Sequence, residues 1–167
     1  MYLPTVLAGF FALSAVAMPL SSLEPRDLKC ARPGDCNRLL DFTISTPRGN
    51  DGQIKVDFTI WDDNKATNAT TTCSASWKAG TDGWPQQYTT CDDDEFEWSF
   101  SKFNSATEWH MEAAHGYLDS PNFYVRSFFN GTAVDADFKC ETDATGTREC
   151  SLKPDRVINL RWYASIA

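Results

Sequence analysis

His110 and His115 are the only histidines in the 167 residues, and histidine is the side chain most often used as a general acid or base. Their H-x4-H spacing places them on different faces of a helix and on opposite faces of a strand. It is not the H-E-x-x-H pattern of a zinc protease, so both read as surface or edge histidines. A Ser-His-Asp hydrolase needs a positioned serine, and the G-x-S-x-G elbow is absent from the sequence. The acidic run Asp92-Asp93-Asp94-Glu95 is the most conspicuous charge feature. It lacks the alternating spacing of an EF-hand calcium loop. Two carboxylates on facing strands could act as acid and nucleophile of a glycosidase, with Asp93, Glu95, Glu97, Asp135 and Asp137 able to supply them. The simpler reading is a set of outward acids that keeps the domain soluble. No residue is assigned as catalytic, and no cofactor is expected. No cysteine pair has the C-x-x-C spacing of a zinc site, so no metal is expected either.

Six tryptophans offer a different chemistry, the stacking and anchoring typical of contact surfaces. Trp98 keeps phase with Phe96 and Phe100 and reads as core. Trp61 is out of phase with the apolar face of its strand, and Trp84 lies in a loop. Trp61, Trp84, Asp92, Asp93, Asp94 and Glu95 are therefore the candidate binding residues.

The elements that must carry these residues have a period of two. Ile54, Val56, Phe58 and Ile60 alternate with Gln53, Lys55, Asp57 and Thr59, and Phe96, Trp98 and Phe100 alternate with Glu95, Glu97 and Ser99. A third alternation runs through Val134, Ala136, Phe138 and Cys140. Weaker strand candidates fall at 39–45, 72–77, 87–90, 108–113, 123–129, 149–152 and 157–163. Gly- and Asp-rich turns separate them. Residues 107–118 are the exception: Glu112-Ala113-Ala114 favours a helix locally. The pattern predicts an all-β fold, a single antiparallel β-barrel or sandwich stapled by disulfides, over residues 30–167.

Residues 1–17 carry no charge and end in Ala15-Val16-Ala17, the small-x-small pattern of a signal peptide cleaved after Ala17. Residues 18–29 show no periodicity and read as a flexible lead segment. Asn68-Ala-Thr70 and Asn130-Gly-Thr132 are glycosylation acceptor sequons. The six cysteines all lie beyond the cut, as suits an oxidising compartment. Fifteen pairings are open to them, and the strand pattern favours local ones: Cys140 with Cys150 across a hairpin, Cys73 with Cys91 on successive strands, and Cys30 with Cys36 at the N-terminal edge. An extracellular, secreted protein is expected. Twenty-three acids against fifteen bases give a net charge of −8, which repels phosphate polyanions and anionic lipid. Nucleic acid and membrane are accordingly not expected as partners.

Several features converge on one likeness. They are Ala17-Met-Pro-Leu20 with downstream Arg26, Asp41-Phe-Thr-Ile44 before the alternating strand, Cys73-Ser-Ala75, Phe96-Glu-Trp-Ser-Phe100 after Cys91, and the late pair Phe138-Lys-Cys140 and Cys150. Together they resemble the fungal secreted family typified by the major allergen of Alternaria and its effector- and elicitor-like relatives. The resemblance spans most of 39–152 and implies an antiparallel β-barrel with internal bridges Cys73–Cys91 and Cys140–Cys150. It implies a non-enzymatic protein that contacts host extracellular defence proteins. Some members are dimers joined by a lone N-terminal cysteine. Two cysteines occupy that region here, so pairing between Cys30 and Cys36 would remove the covalent link, and a homodimer is left open. The expectation is a secreted binding protein acting at a host interface. The alternatives are a carbohydrate-active hydrolase with paired carboxylates and a lipocalin-like carrier of a small ligand.

Overall fold

The computed structural model describes Cys30 and residues 34–167. The proposed signal peptide and the lead segment lie outside the described residues. Ten strands follow in chain order: β1 (Cys36–Thr46), β2 (Gln53–Asp62), β3 (Ala69–Lys78), β4 (Thr89–Thr90), β5 (Phe96–Ser105), β6 (Glu108–Ser120), β7 (Phe123–Ala133), β8 (Phe138–Thr142), β9 (Arg148–Leu152) and β10 (Ile158–Ile166). All pair antiparallel, in the order β3-β2-β1-β10-β7-β6-β5-β4, with the β8–β9 hairpin attached through β9 to β1. The sheet curls into a nearly closed β-barrel.

The alternation in β2 does what its period dictates: Ile54, Val56, Phe58 and Ile60 are buried, and the residues between them face outward. In β1 the alternation breaks at a bulge between Leu40 and Thr43, where Asp41 takes φ of 51°. Aspartate tolerates that left-handed conformation better than most residues. The bulge marks the point where the second neighbour of β1 changes from β10 (Cys36–Leu39) to β9 (Thr43–Thr46). A bend at such a point lets one strand serve two directions of the sheet.

Rings fill the interior. Phe42 stacks on Trp109 with centroids 4.8 Å apart, and Phe58 meets Trp98 edge-on at 4.8 Å. Trp77 sits edge-on to Phe103 at 5.2 Å. Fully buried Trp98, Trp109 and Phe100 belong to the same cluster, so Trp98 is core as its phase predicts.

The barrel closes along a seam between β3 and the segment leading into β5. There Cys73 is bonded to Cys91, Asp92 N–H donates to the Thr72 carbonyl (2.9 Å), and Asp93 N–H donates to Thr71 Oγ1 (3.0 Å). The second bridge, Cys140–Cys150, spans directly opposed residues of the β8–β9 hairpin. The third, Cys30–Cys36, anchors the start of β1. All six cysteines are paired locally, as the strand pattern favours, and three bridges fit an oxidising compartment.

Two local expectations are overturned. Residues 107–118 form no helix: they belong to the long central strand β6, whose Trp109, Met111, Ala113 and His115 point inward. Pairing to β5 on one side and β7 on the other outweighs the weak helix preference of Glu112-Ala-Ala. The alternation read from Val134 does not begin as a strand either. Asp135–Asp137 make a 3-10 turn, Asp137 is buried, and β8 starts at Phe138. Asp137 Oδ2 accepts the Val134 N–H (3.2 Å), which favours the turn over extension.

Candidate functional site: the polar end of the barrel

At one end of the barrel β2, β6 and β10 run out and β1, β3, β5 and β7 begin. There the inward alternation of three strands changes from apolar to polar. Along β2 it continues from Ile60 to Asp62, along β6 from Ala113 to His115, and β1 opens inward with Asn37. All three side chains are buried. His115 Nδ1 lies 2.7 Å from Asp62 Oδ2, and the imidazole stacks on Phe96 with centroids 3.7 Å apart. Asp62 Oδ1 accepts the Asn64 N–H (2.9 Å), and Asn64 Nδ2 donates to the Tyr117 hydroxyl (3.1 Å). Asn37 stands directly opposite Asp62, and neither of its amide atoms has a hydrogen-bond partner among the described residues.

This histidine–carboxylate pair has the look of two-thirds of a triad, but the third part is otherwise engaged. Ser127, directly across from His115 on β7, shares its hydroxyl with Ser165 Oγ at 2.9 Å. His115 is therefore no surface or edge histidine. His110 is exposed, with Nδ1 3.0 Å from Thr132 Oγ1. The two do face opposite ways, as a strand requires.

The rim around this polar layer is apolar and acidic. Leu118, Phe123, Tyr124, Trp162 and Ile166 are each 48–60% exposed. They sit on the β6–β7 hairpin and the last turns of β10, where Leu118 pairs with Tyr124 and Ile166 with Arg126. The acidic run borders them. Its backbone makes the barrel seam, Asp93 Oδ1 accepts the Glu95 N–H (3.1 Å), and Asp92 and Asp94 project into solvent. Glu95 takes the Tyr124 hydroxyl at 2.6 Å. That bond, with some desolvation, raises the Tyr124 pKa. Arg126 pairs with Glu97 and lies over the rings of Tyr88 and Phe128, 5.8 and 5.6 Å from their centroids. Burial pushes the Tyr88 hydroxyl up, and its neighbours Tyr163 and Glu112 add to the effect.

Among the residues singled out by sequence, the structure gathers Trp61 and the acidic run at this end and leaves Trp84 at the other. Trp61 is half-buried on the outer face, with the Arg38 guanidinium 4.5 Å from its ring centroid. Arg38 Nη2 in turn binds Asp63 Oδ2 at 2.5 Å. Trp84 is also half-buried and packs against Phe103, so neither tryptophan stands free. The five carboxylates considered for a glycosidase fall into two groups. Asp93, Glu95 and Glu97 lie near the polar end, where Glu95 and Glu97 hold Tyr124 and Arg126, while Asp135 and Asp137 share a turn at the opposite end, where Asp135 accepts the Thr107 hydroxyl (2.9 Å).

Asp62, His115 and Asn37 were missed in the sequence. Strand parity carries the signal: Asp62 extends the inward series of β2, and His115 falls in step with Trp109, Met111 and Ala113. Reading 107–118 as helical hid the second series.

No family model matches the chain. A search of curated proteins likewise returns no match.

Proposed function

We propose that this is a secreted, non-enzymatic binding protein, of the fungal allergen- and effector-like kind, that grips a host extracellular protein with the polar end of its barrel. The observation that carries the reading is the coincidence there of five exposed large apolar side chains with an acidic border. Scattered exposed apolar residues are ordinary on a monomer, but several gathered at one end of a barrel and bordered by charge are characteristic of a contact surface. The disulfide-closed barrel supports the idea further, because a rigid scaffold lowers the entropic cost of presenting such a rim. The ring-filled interior weighs against a carrier, and the engagement of Glu95 by Tyr124 and of Glu97 by Arg126 weighs against a glycosidase, which needs two carboxyls free to flank one bond.

The acidic border fits a basic patch on the partner. The test is a pull-down from host extracellular fluid with the mature glycoprotein, beside a reduced control and a Phe123→Ser variant. Capture of a basic protein by the native form, lost in both controls and weakened at high salt, is the expected result. Affinity that ignores salt, or survives Phe123→Ser unchanged, would refute this end as the contact surface. A reversible dimer formed through the same rim would replace the host protein by a second copy of the chain.

A further inference from the structure

The geometry points to Asn68 as a glycosylated residue whose first sugar rests against Trp61, so that the glycan there is part of the folded structure. This rests on the secretory route assumed above, because the modification takes place only along it.

Trp61 is the residue that broke the inward alternation of β2, and the outer face explains its setting. On β1, Arg38 is its register partner and lies over the ring, held in place by Asp63. On β3, its register partner is Thr70, the hydroxyl residue of the Asn68-Ala-Thr70 sequon. The indole thus stands between a fixed guanidinium and the sequon. Its Nε1–H donates to Asn68 Oδ1 at 3.2 Å. Asn68 itself is exposed at the end of the β2–β3 connection, with φ of 43°.

Which amide atom is held matters. In the transfer, Asn68 Nδ2 attacks C1 of the first N-acetylglucosamine of a lipid-diphosphate-linked oligosaccharide. The new N–C1 bond forms as the C1–O bond to the diphosphate breaks, the lipid diphosphate leaves with that electron pair, and the amide proton passes to the transferase. Only the nitrogen changes. Oδ1 remains an acceptor, so the bond from Trp61 survives modification and fixes the amide plane, with the sugar leaving it beside the indole. The apolar face of a pyranose and an indole ring are complementary surfaces, and burying them against each other removes both from water. The turn alone accounts for an asparagine in a left-handed conformation. It accounts neither for an out-of-phase tryptophan beside it nor for the threonine opposite that tryptophan. Asn130, the other sequon, lies mid-strand on β7 between Glu112 and Arg161 and serves as the internal comparison.

The experiment expresses the full chain in a secreting eukaryotic host, maps glycans by peptide, and follows their release by a glycoamidase from the native protein. Both sites should carry glycan, and Asn68 should release its glycan about ten-fold more slowly than Asn130, the rate expected for a packing contact that must open first. Denaturation should equalise the two sites, and so should Trp61→Ala, while Trp61→Phe keeps part of the protection. Thr70→Val, which leaves Asn68 in place but unmodified, should lower the melting temperature in the native background and not in Trp61→Ala. Glycan on Asn130 with none on Asn68 overturns this inference and leaves the extracellular reading standing. Both sites bare in a chain retained by the cell overturns both. Equal native release rates in the unmutated protein overturn the packing, whatever the variants do.

Discussion

Replacing Cys73 and Cys91 together by alanine tests whether the barrel depends on its seam. The bridge closes 18 residues of chain and joins β3 to the segment entering β5, two elements that share no ladder of strand hydrogen bonds. In the chain-entropy model a loop of that length contributes about 3 kcal/mol. In a domain of this size that corresponds to about 10 °C of melting temperature. The remaining ties across the seam are the bonds from Asp92 N–H to Thr72 and from Asp93 N–H to Thr71 Oγ1. Calorimetry should therefore show the drop in melting temperature. Amide exchange should show lost protection at Asp92 and Asp93 in particular. The matched control is the Cys140/Cys150 pair, which spans 10 residues of a hairpin already zipped by backbone bonds. The model gives about 2.5 kcal/mol for it, with exchange at Asp92 and Asp93 untouched. A Cys73/Cys91 double-alanine variant that melts within about 3 °C of the native protein, or opens no faster at those amides, would refute the view that the seam is closed mainly by its disulfide.

Other expectations follow from single contacts. Folding raises the pKa of Tyr88 and Tyr124, so each favours the folded state fully below its ordinary value near 10, and that contribution is lost as pH climbs toward the folded pKa; absorbance titration should show these two phenols ionising late. A Cβ at Gly116 would lie 1.8 Å from the Tyr124 hydroxyl, so Gly116→Ala should swing Tyr124 off Glu95 and return its titration toward the ordinary range. His115→Ala removes one partner of a buried pair and should cost about 3 kcal/mol in chemical denaturation, against about 0.5 kcal/mol or less for exposed His110→Ala. Asn37→Val replaces a buried amide without a partner and should raise stability by about 1 kcal/mol; a loss instead would mean the amide is satisfied by a buried water.

How much of this was legible in the sequence depends on how local the determinant is. The strand over Gln53–Asp62 was readable because its inward set, Ile54 to Ile60, is set by period alone. The hairpin bridge Cys140–Cys150 was readable because turn and strands adjoin in sequence. The strand through Glu108–Ser120 was legible only as a weak candidate over 108–113, because Glu112-Ala-Ala carries a local helix preference that only two neighbouring strands overrule. The turn at Asp135–Asp137 was hidden because Asp137, whose carboxylate accepts the Val134 N–H, imitates a strand's polar position. The site was harder still. Asp62 and His115 lie 53 residues apart, and only closure of the barrel brings them to 2.7 Å. The acidic run was visible, but its backbone role in the seam depends on Thr71 and Thr72 arriving beside it.

The polar layer bears on what the barrel is for. Three neighbouring inward positions, Asn37, Asp62 and His115, would serve stability better as apolar residues: a buried ionisable pair seldom outperforms well-packed hydrocarbon, and an unpartnered buried amide costs about 1–3 kcal/mol. Elsewhere the interior is mostly ring against ring, with Phe42, Phe58, Trp98 and Trp109 sealed from solvent, although the indole N–H groups of Trp98 and Trp109 also lack a partner among the described residues and Asp137 is buried at the opposite end. Departures from local optimum in an otherwise consistent sequence gather where a protein meets something else. Here three of them, Asn37, Asp62 and His115, gather under the rim that exposes Leu118, Phe123, Trp162 and Ile166. A polar floor orders that end by directed bonds, from Asp62 to Asn64 and on to Tyr117, without drawing the rim's apolar side chains inward to extend the core. The rim is thereby left outside, as the proposed contact surface requires.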